Sequence, residues 1–165
     1  MMRSAFVLLV LVIAGACSKT EQKETGTVIA PRMLESATFE LPQGWTSAYG
    51  KDDAWQFASA DARTKVRFER TDERFIASPD AFMQHVAPRY GKDKLVTIEQ
   101  RDHSGKGFAI TLAVFAGESD PQPQHTTFVV RPLGKVWFSC YADGLGLEDE
   151  PLRNQVVALC RSVRL

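Results

Sequence analysis

In Lys135-Val136-Trp137-Phe138-Ser139-Cys140-Tyr141-Ala142 the side chains of Val136, Phe138 and Cys140 recur at every second position. That two-residue period belongs to a strand, so Val136, Phe138 and Cys140 share one face while Trp137 and Tyr141 take the other. Residues 126–131 read as the strand before it, with Pro132-Leu133-Gly134 supplying the turn of a hairpin. Downstream, Glu148-Asp149-Glu150-Pro151 places acidic residues and a proline where a helix begins. Leu152, Val156, Leu159 and Cys160 follow at helical spacing, which puts Cys160 on the apolar stripe. A strand face that meets this stripe brings the two sulfurs together, so the two periods jointly predict a Cys140–Cys160 disulfide. The bridge closes a loop of about 20 residues and is worth on the order of 3 kcal/mol in the chain-entropy account. The alternative is two reduced, buried cysteines behaving as small hydrophobes.

The same patterning extends back toward the N-terminus. Residues 96–101 and 107–115 form a second hairpin around Asp102-His103-Ser104-Gly105-Lys106-Gly107. Lys65-Val66-Arg67-Phe68-Glu69-Arg70 alternates with Val66 and Phe68 inward, and Trp55-Gln56-Phe57 and Thr38-Phe39-Glu40-Leu41 are shorter strand candidates. Pro42-Gln43-Gly44-Trp45 is a turn with a large aromatic to bury. Ser78-Pro79-Asp80 has the cap, the proline and the acid of a helix start, Phe82 and Val86 lie on one helical face, and Pro88 ends it. The expected class is α+β: an antiparallel sheet built from hairpins, covered on one face by two helices and wet on the other.

The leader sets the address. Met1-Met2-Arg3 is a short positive region, residues 5–13 are continuously apolar, and Ala14-Gly15-Ala16 precede Cys17. Nine apolar residues are too few to span a bilayer core, which takes roughly 20, so the segment reads as a secretory signal. Ala14-x-Ala16 suits an ordinary signal peptidase that would leave Cys17 a free thiol. The segment also resembles the lipobox of bacterial lipoproteins, whose cysteine is acylated and becomes the first mature residue, although Ala14 stands where leucine is commonest. Of the three cysteines in the chain, lipid on Cys17 leaves Cys140 and Cys160 as an even pair, which favours the lipoprotein reading. That resemblance implies a membrane partner reached through the N-terminal lipid. Ser18 after the cysteine, rather than aspartate, implies the outer membrane, facing the periplasm. The expected organisation is a signal peptide over 1–16, a flexible tether over 17–36 and a single domain over 37–165.

The order of elements after residue 37 resembles the PsbP/DcrB-like α/β fold of small envelope lipoproteins. It is carried by Phe39-x-Leu41-Pro42-x-Gly44-Trp45, then a strand, the Ser78-Pro79-Asp80 helix, two hairpins and a closing helix. The insert Asp120-Pro121-Gln122-Pro123-Gln124 and the cysteine pair depart from the pattern. The resemblance implies a scaffold that binds an envelope protein without catalysis of its own. The chain's size and architecture also resemble those of immunity lipoproteins that neutralise toxins delivered by type VI secretion. A third expectation, from a different class, is a carrier holding a small ligand between sheet and helices.

Composition and motifs narrow the chemistry. Lysine plus arginine equals aspartate plus glutamate at 20 each, and losing Arg3 with the leader tips the balance to the acidic side. A nucleic-acid binder needs the opposite excess. Asp102-His103-Ser104 holds the residue types of a hydrolase triad, but consecutive turn residues point apart, and no Gly-x-Ser-x-Gly elbow exists. Gly105-Lys106-Gly107 lacks the spacing of a phosphate loop. His85, His103 and His125 are scattered singly, without metal-ligand spacing, and Glu148-Asp149-Glu150 lacks the alternating ligands of a calcium loop. No catalytic residue, metal or cofactor is therefore expected. The expected partner-binding residues are Trp137, Tyr141, Arg131 and Arg67, aromatic and arginine side chains on the wet face of the sheet. The alternative is that a loop or the tether covers them.

Overall fold

The structure, a computed structural model, describes residues 32–72, 74, 76–103, 105–117 and 122–165. The leader, Cys17 and residues 17–31 of the expected tether lie outside the described residues. Among the described residues the strands are β1 (Thr46–Tyr49), β2 (Trp55–Ala58), β3 (Lys65–Thr71), β4 (Leu95–Asp102), β5 (Phe108–Phe115), β6 (Gln124–Leu133) and β7 (Val136–Asp143). The helices are α1 (Pro79–Val86), extended by a 3-10 turn over Ala87–Tyr90, and α2 (Glu150–Ser162). All seven strands join one antiparallel sheet in the order β1-β2-β3-β7-β6-β5-β4. None of the described helices is long and apolar enough to cross a membrane.

Local sequence explains the helix starts. Ser78 Oγ accepts from the Ala81 amide at 3.1 Å, with Pro79 and Asp80 in the first turn of α1. Asp149 accepts from the Leu152 amide at 3.3 Å, Glu150 sits at the positive end of α2, and Arg161 lies in its last turn. β1 is the strand the sequence conceals: Thr46, Ser47 and Ala48 are all exposed, so no apolar period marks it.

The α+β class and the antiparallel hairpins stand, while the placement of the helices differs from the expected single covered face. Phe128 and Val129 are neighbours on β6 and must point to opposite sides. Phe128 packs with Phe82 and Val86 of α1, and Val129 with Val156, Leu159 and Cys160 of α2. The helices therefore lie on opposite faces. β5 carries the matching signature: Phe108-Ala109-Ile110-Thr111-Leu112-Ala113-Val114 is buried throughout, because large residues face α1 and small ones face α2.

Cys140 and Cys160 are bonded, with Cα atoms 5.7 Å apart. The domain also begins before the expected boundary at residue 37. Leu34 is fully buried beneath Trp55, whose Nε1 donates to the Leu34 carbonyl at 2.6 Å, and Asp53 accepts from the Leu34 amide at 3.2 Å. Residues 32–36 thus belong to the domain, because the turn they form closes one end of the α2-side core.

Candidate functional site

α1 covers one half of its face of the sheet. Phe82 packs edge-on against Phe108 and Phe128, with ring centroids 5.9 and 5.3 Å apart, over the β5–β6 region. Among the described residues no helix covers the β1–β3 half of that face. Thr46, Ala48, Gln56, Lys65, Arg67 and Tyr141 line a shallow trough there of about 380 Å³.

The register builds this trough from the residues upward. On β3, Val66 and Phe68 take the α2-side core, so Lys65 and Arg67 must face the trough. Arg67 pairs in register with Gln56 on one side and Tyr141 on the other. Its guanidinium is held by Glu69 at 2.5 Å and Asp52 at 2.6 Å. Hydrogen bonds to Glu69, then to Asp52, raise the Arg67 pKa. The hydrogen bond from Arg67 likewise holds the Asp52 carboxyl below the usual range. Arg89, in the 3-10 turn after α1, approaches Glu69 at 3.9 Å. Tyr141 is half-buried, its ring 5.2 Å from Phe128, and burial raises its phenol pKa. A fixed guanidinium beside an aromatic edge and short side chains has the composition common at protein-binding surfaces. It holds no nucleophile paired with a base.

The four expected partner-binding residues divide. Arg67 and Tyr141 meet in the trough. Trp137 shares their face but lies at the far end of β7, opposite Thr71, partly buried against the α1-side core. Arg131 faces the other way: it alternates with Val130, which is on the α1 side, and its Nη1 donates to the Arg161 carbonyl of α2. The expectation that Arg131 joins Trp137 fails because Cys140 and Val129, not Tyr141, mark the Arg131 side of β6. Gln56 and Ala48, which the sequence reading passed over, complete the trough; they carry no periodic signal of their own.

Several polar groups outside the trough have structural partners. His125 lies between Glu99 at 3.1 Å and Glu148 at 3.8 Å, and no set of three metal-ligand side chains converges among the described residues. Asp102 pairs with Arg161 at 2.8 Å, and His103 is exposed. Ser104 lies outside the described residues. Between α2 and the sheet, Gln100, Thr111, Thr127 and Arg153 enclose about 60 Å³, which is room for a few waters and not for a metabolite.

No protein-family model matches this sequence, and no curated protein matches it. Among solved structures the chain is similar to cyanobacterial PsbP (CyanoP) from Synechocystis sp. PCC 6803, with a TM-score of 0.48 and 12% identity over 78% of this chain and 86% of that one. It is also similar to LpqN, involved in cell envelope biogenesis of Mycobacterium tuberculosis, with a TM-score of 0.41 and 12% identity over 78% of this chain and 82% of that one. These likenesses concern the path of the chain, and no residue role is taken from them.

Proposed function

We propose that this chain is a non-enzymatic envelope lipoprotein, anchored through Cys17, whose bare half-sheet docks a protein partner in the periplasm. The single observation that carries the reading is the asymmetry of one sheet face. α1 fills its β5–β6 half, while the β1–β3 half is left open with Arg67 and Tyr141 fixed at its floor. The leader and the even cysteine pair support the compartment. Immunity against a toxin delivered to the periplasm is the more definite form of the same reading; cells lacking the gene would then become sensitive to their siblings, and unchanged sensitivity would remove it.

A photo-crosslinking residue at the exposed position Gln56 is expected to capture the partner in cells, and one at Gln155 on α2 is not. Ala48→Arg, which fills the trough without touching the core, is expected to abolish that capture. Equal capture from both positions would overturn the docking face.

A further inference from the structure

Arg131, which the open face does not use, has a setting of its own. It is half-buried on the α2 side, with its Nη1 on the Arg161 carbonyl at the end of α2. Arg161 turns its Nη2 to Asp102 at 2.8 Å. Arg164 follows, held by two main-chain hydrogen bonds with Thr38, both 2.9 Å. Among the described residues no carboxylate lies within ion-pair distance of Arg131 or Arg164. Burial, then the fields of Arg164 and Arg161, lower the Arg131 pKa. A half-buried cation without a counter-charge is costly, so Arg131 with the neighbouring Arg164 is set to accept an anion, while Arg161 is already paired with Asp102.

The surroundings indicate which anion. Residues 38–41 run beside the end of α2, with the Glu40 amide donating to Ser162 Oγ at 2.9 Å. Along this seam two large apolar side chains face solvent: Leu165, 53% exposed, and Leu41, 38% exposed. A free phosphate has no use for leucines, whereas arginines beside exposed leucines are the composition of a surface that enters the headgroup boundary of a bilayer.

We propose that Arg131 and Arg164, flanked by Leu41 and Leu165, bind the phosphates of an anionic phospholipid surface. The inference shares the envelope setting of the proposed function. A lipid on Cys17 would hold the domain near such a surface, raising its effective concentration there.

The test uses the chain from residue 17 onward carrying Cys17→Ser, so that no acyl chain contributes. It is sedimented with vesicles of phosphatidylglycerol and phosphatidylcholine, and with vesicles of phosphatidylcholine alone. Binding is expected on the anionic vesicles only, falling with salt. Arg164→Gln and Arg131→Gln are each expected to weaken it about fivefold, the loss of about one arginine's contribution at an anionic surface. Arg164 is exposed, so that variant keeps the test valid if Arg131→Gln fails to fold. No binding, equal binding to both vesicles, or undiminished binding of Arg164→Gln would overturn the proposal. Release by inorganic phosphate at matched ionic strength would reassign the cluster to a soluble anion, and release by polyglutamate to an acidic protein. Acylation of Cys17 is read separately, by metabolic labelling with a fatty acid, so its failure would leave the vesicle result intact.

Discussion

Tyr49 and Asp53 show how single residues tie the first part of the domain down. Asp53 sits at φ 54°, a left-handed conformation that aspartate tolerates better than most residues. From there its carboxylate accepts from the Tyr49 hydroxyl and the Leu34 amide. Lost solvation and the Asp53 hydrogen bond push the Tyr49 phenol up to about 12. The folded state therefore keeps this proton longer than the unfolded chain, whose tyrosine ionises near 10. The stability it contributes is present below about pH 10 and is lost as pH rises toward about 12. In alkaline thermal melts, Tyr49→Phe should remove that limb of the stability curve. Asp72 runs the opposite way, with the Arg74 hydrogen bond lowering it to about 2. Its contribution is present above about pH 4 and disappears as pH falls toward about 2, which acid melts of Asp72→Asn would test by the loss of that dependence. Gly107 is a third residue-scale constraint. A Cβ there would lie 2.0 Å from the Val130 carbonyl oxygen, at φ 95°, whereas Gly105 has φ 81° and open space. Gly107→Ala should cost about 3 kcal/mol or more through backbone displacement, and Gly105→Ala about 1 kcal/mol of strain, as read by urea unfolding.

At the scale of elements, β4 decides how the two helices are reached. Its register shifts between Ile98 and Gln100, so Val96 and Ile98 pack on the α1 side while Gln100 and Asp102 turn to α2. Without that bulge a strict alternation would send all four to one side. The shift lets Arg101 meet Asp80 of α1 at 2.6 Å while Asp102 meets Arg161 of α2. Nothing in residues 96–101 places the bulge, since Glu99, Gln100 and Arg101 are all polar and leave no apolar period after Ile98 to show a shift. β5 did announce its environment: a run of eight residues with one hydroxyl is too apolar for a strand with a wet face. α1 depends on its cap, being only eight residues long. Ser78→Ala should therefore cost about 1 kcal/mol, measured by chemical denaturation, with Ser78→Asp retaining most of the stability.

Across the whole molecule, the disulfide joins the central strand β7 to the C-terminal helix that closes one core. Cys140→Ala with Cys160→Ala should lower unfolding stability by on the order of 3 kcal/mol, chiefly by freeing the unfolded chain. The comparison is made by urea denaturation of oxidised, reduced and double-variant protein. The aromatic cluster of Phe39, Trp55 and Phe57 belongs to the same core, with ring centroids of Phe39 4.8 Å from each of the other two. It gathers residues from two strand candidates that sequence alone left unconnected.

Local period by itself determined the class of this protein and the extent of most of its strands and helices, and it put Cys140 and Cys160 each on an apolar face. Each of these follows from where a side chain points relative to its near neighbours along the chain. Only the tertiary structure decided that α1 and α2 take opposite faces, that Arg131 leaves Trp137 for the end of α2, and that no described helix covers half of one face. Alternation says which residues share a side of a strand, but not which helix, if any, lies over that side. That choice is made by long-range packing, in which the large residues of β5 match Phe82 and Val86 of α1 and its small ones leave room for α2.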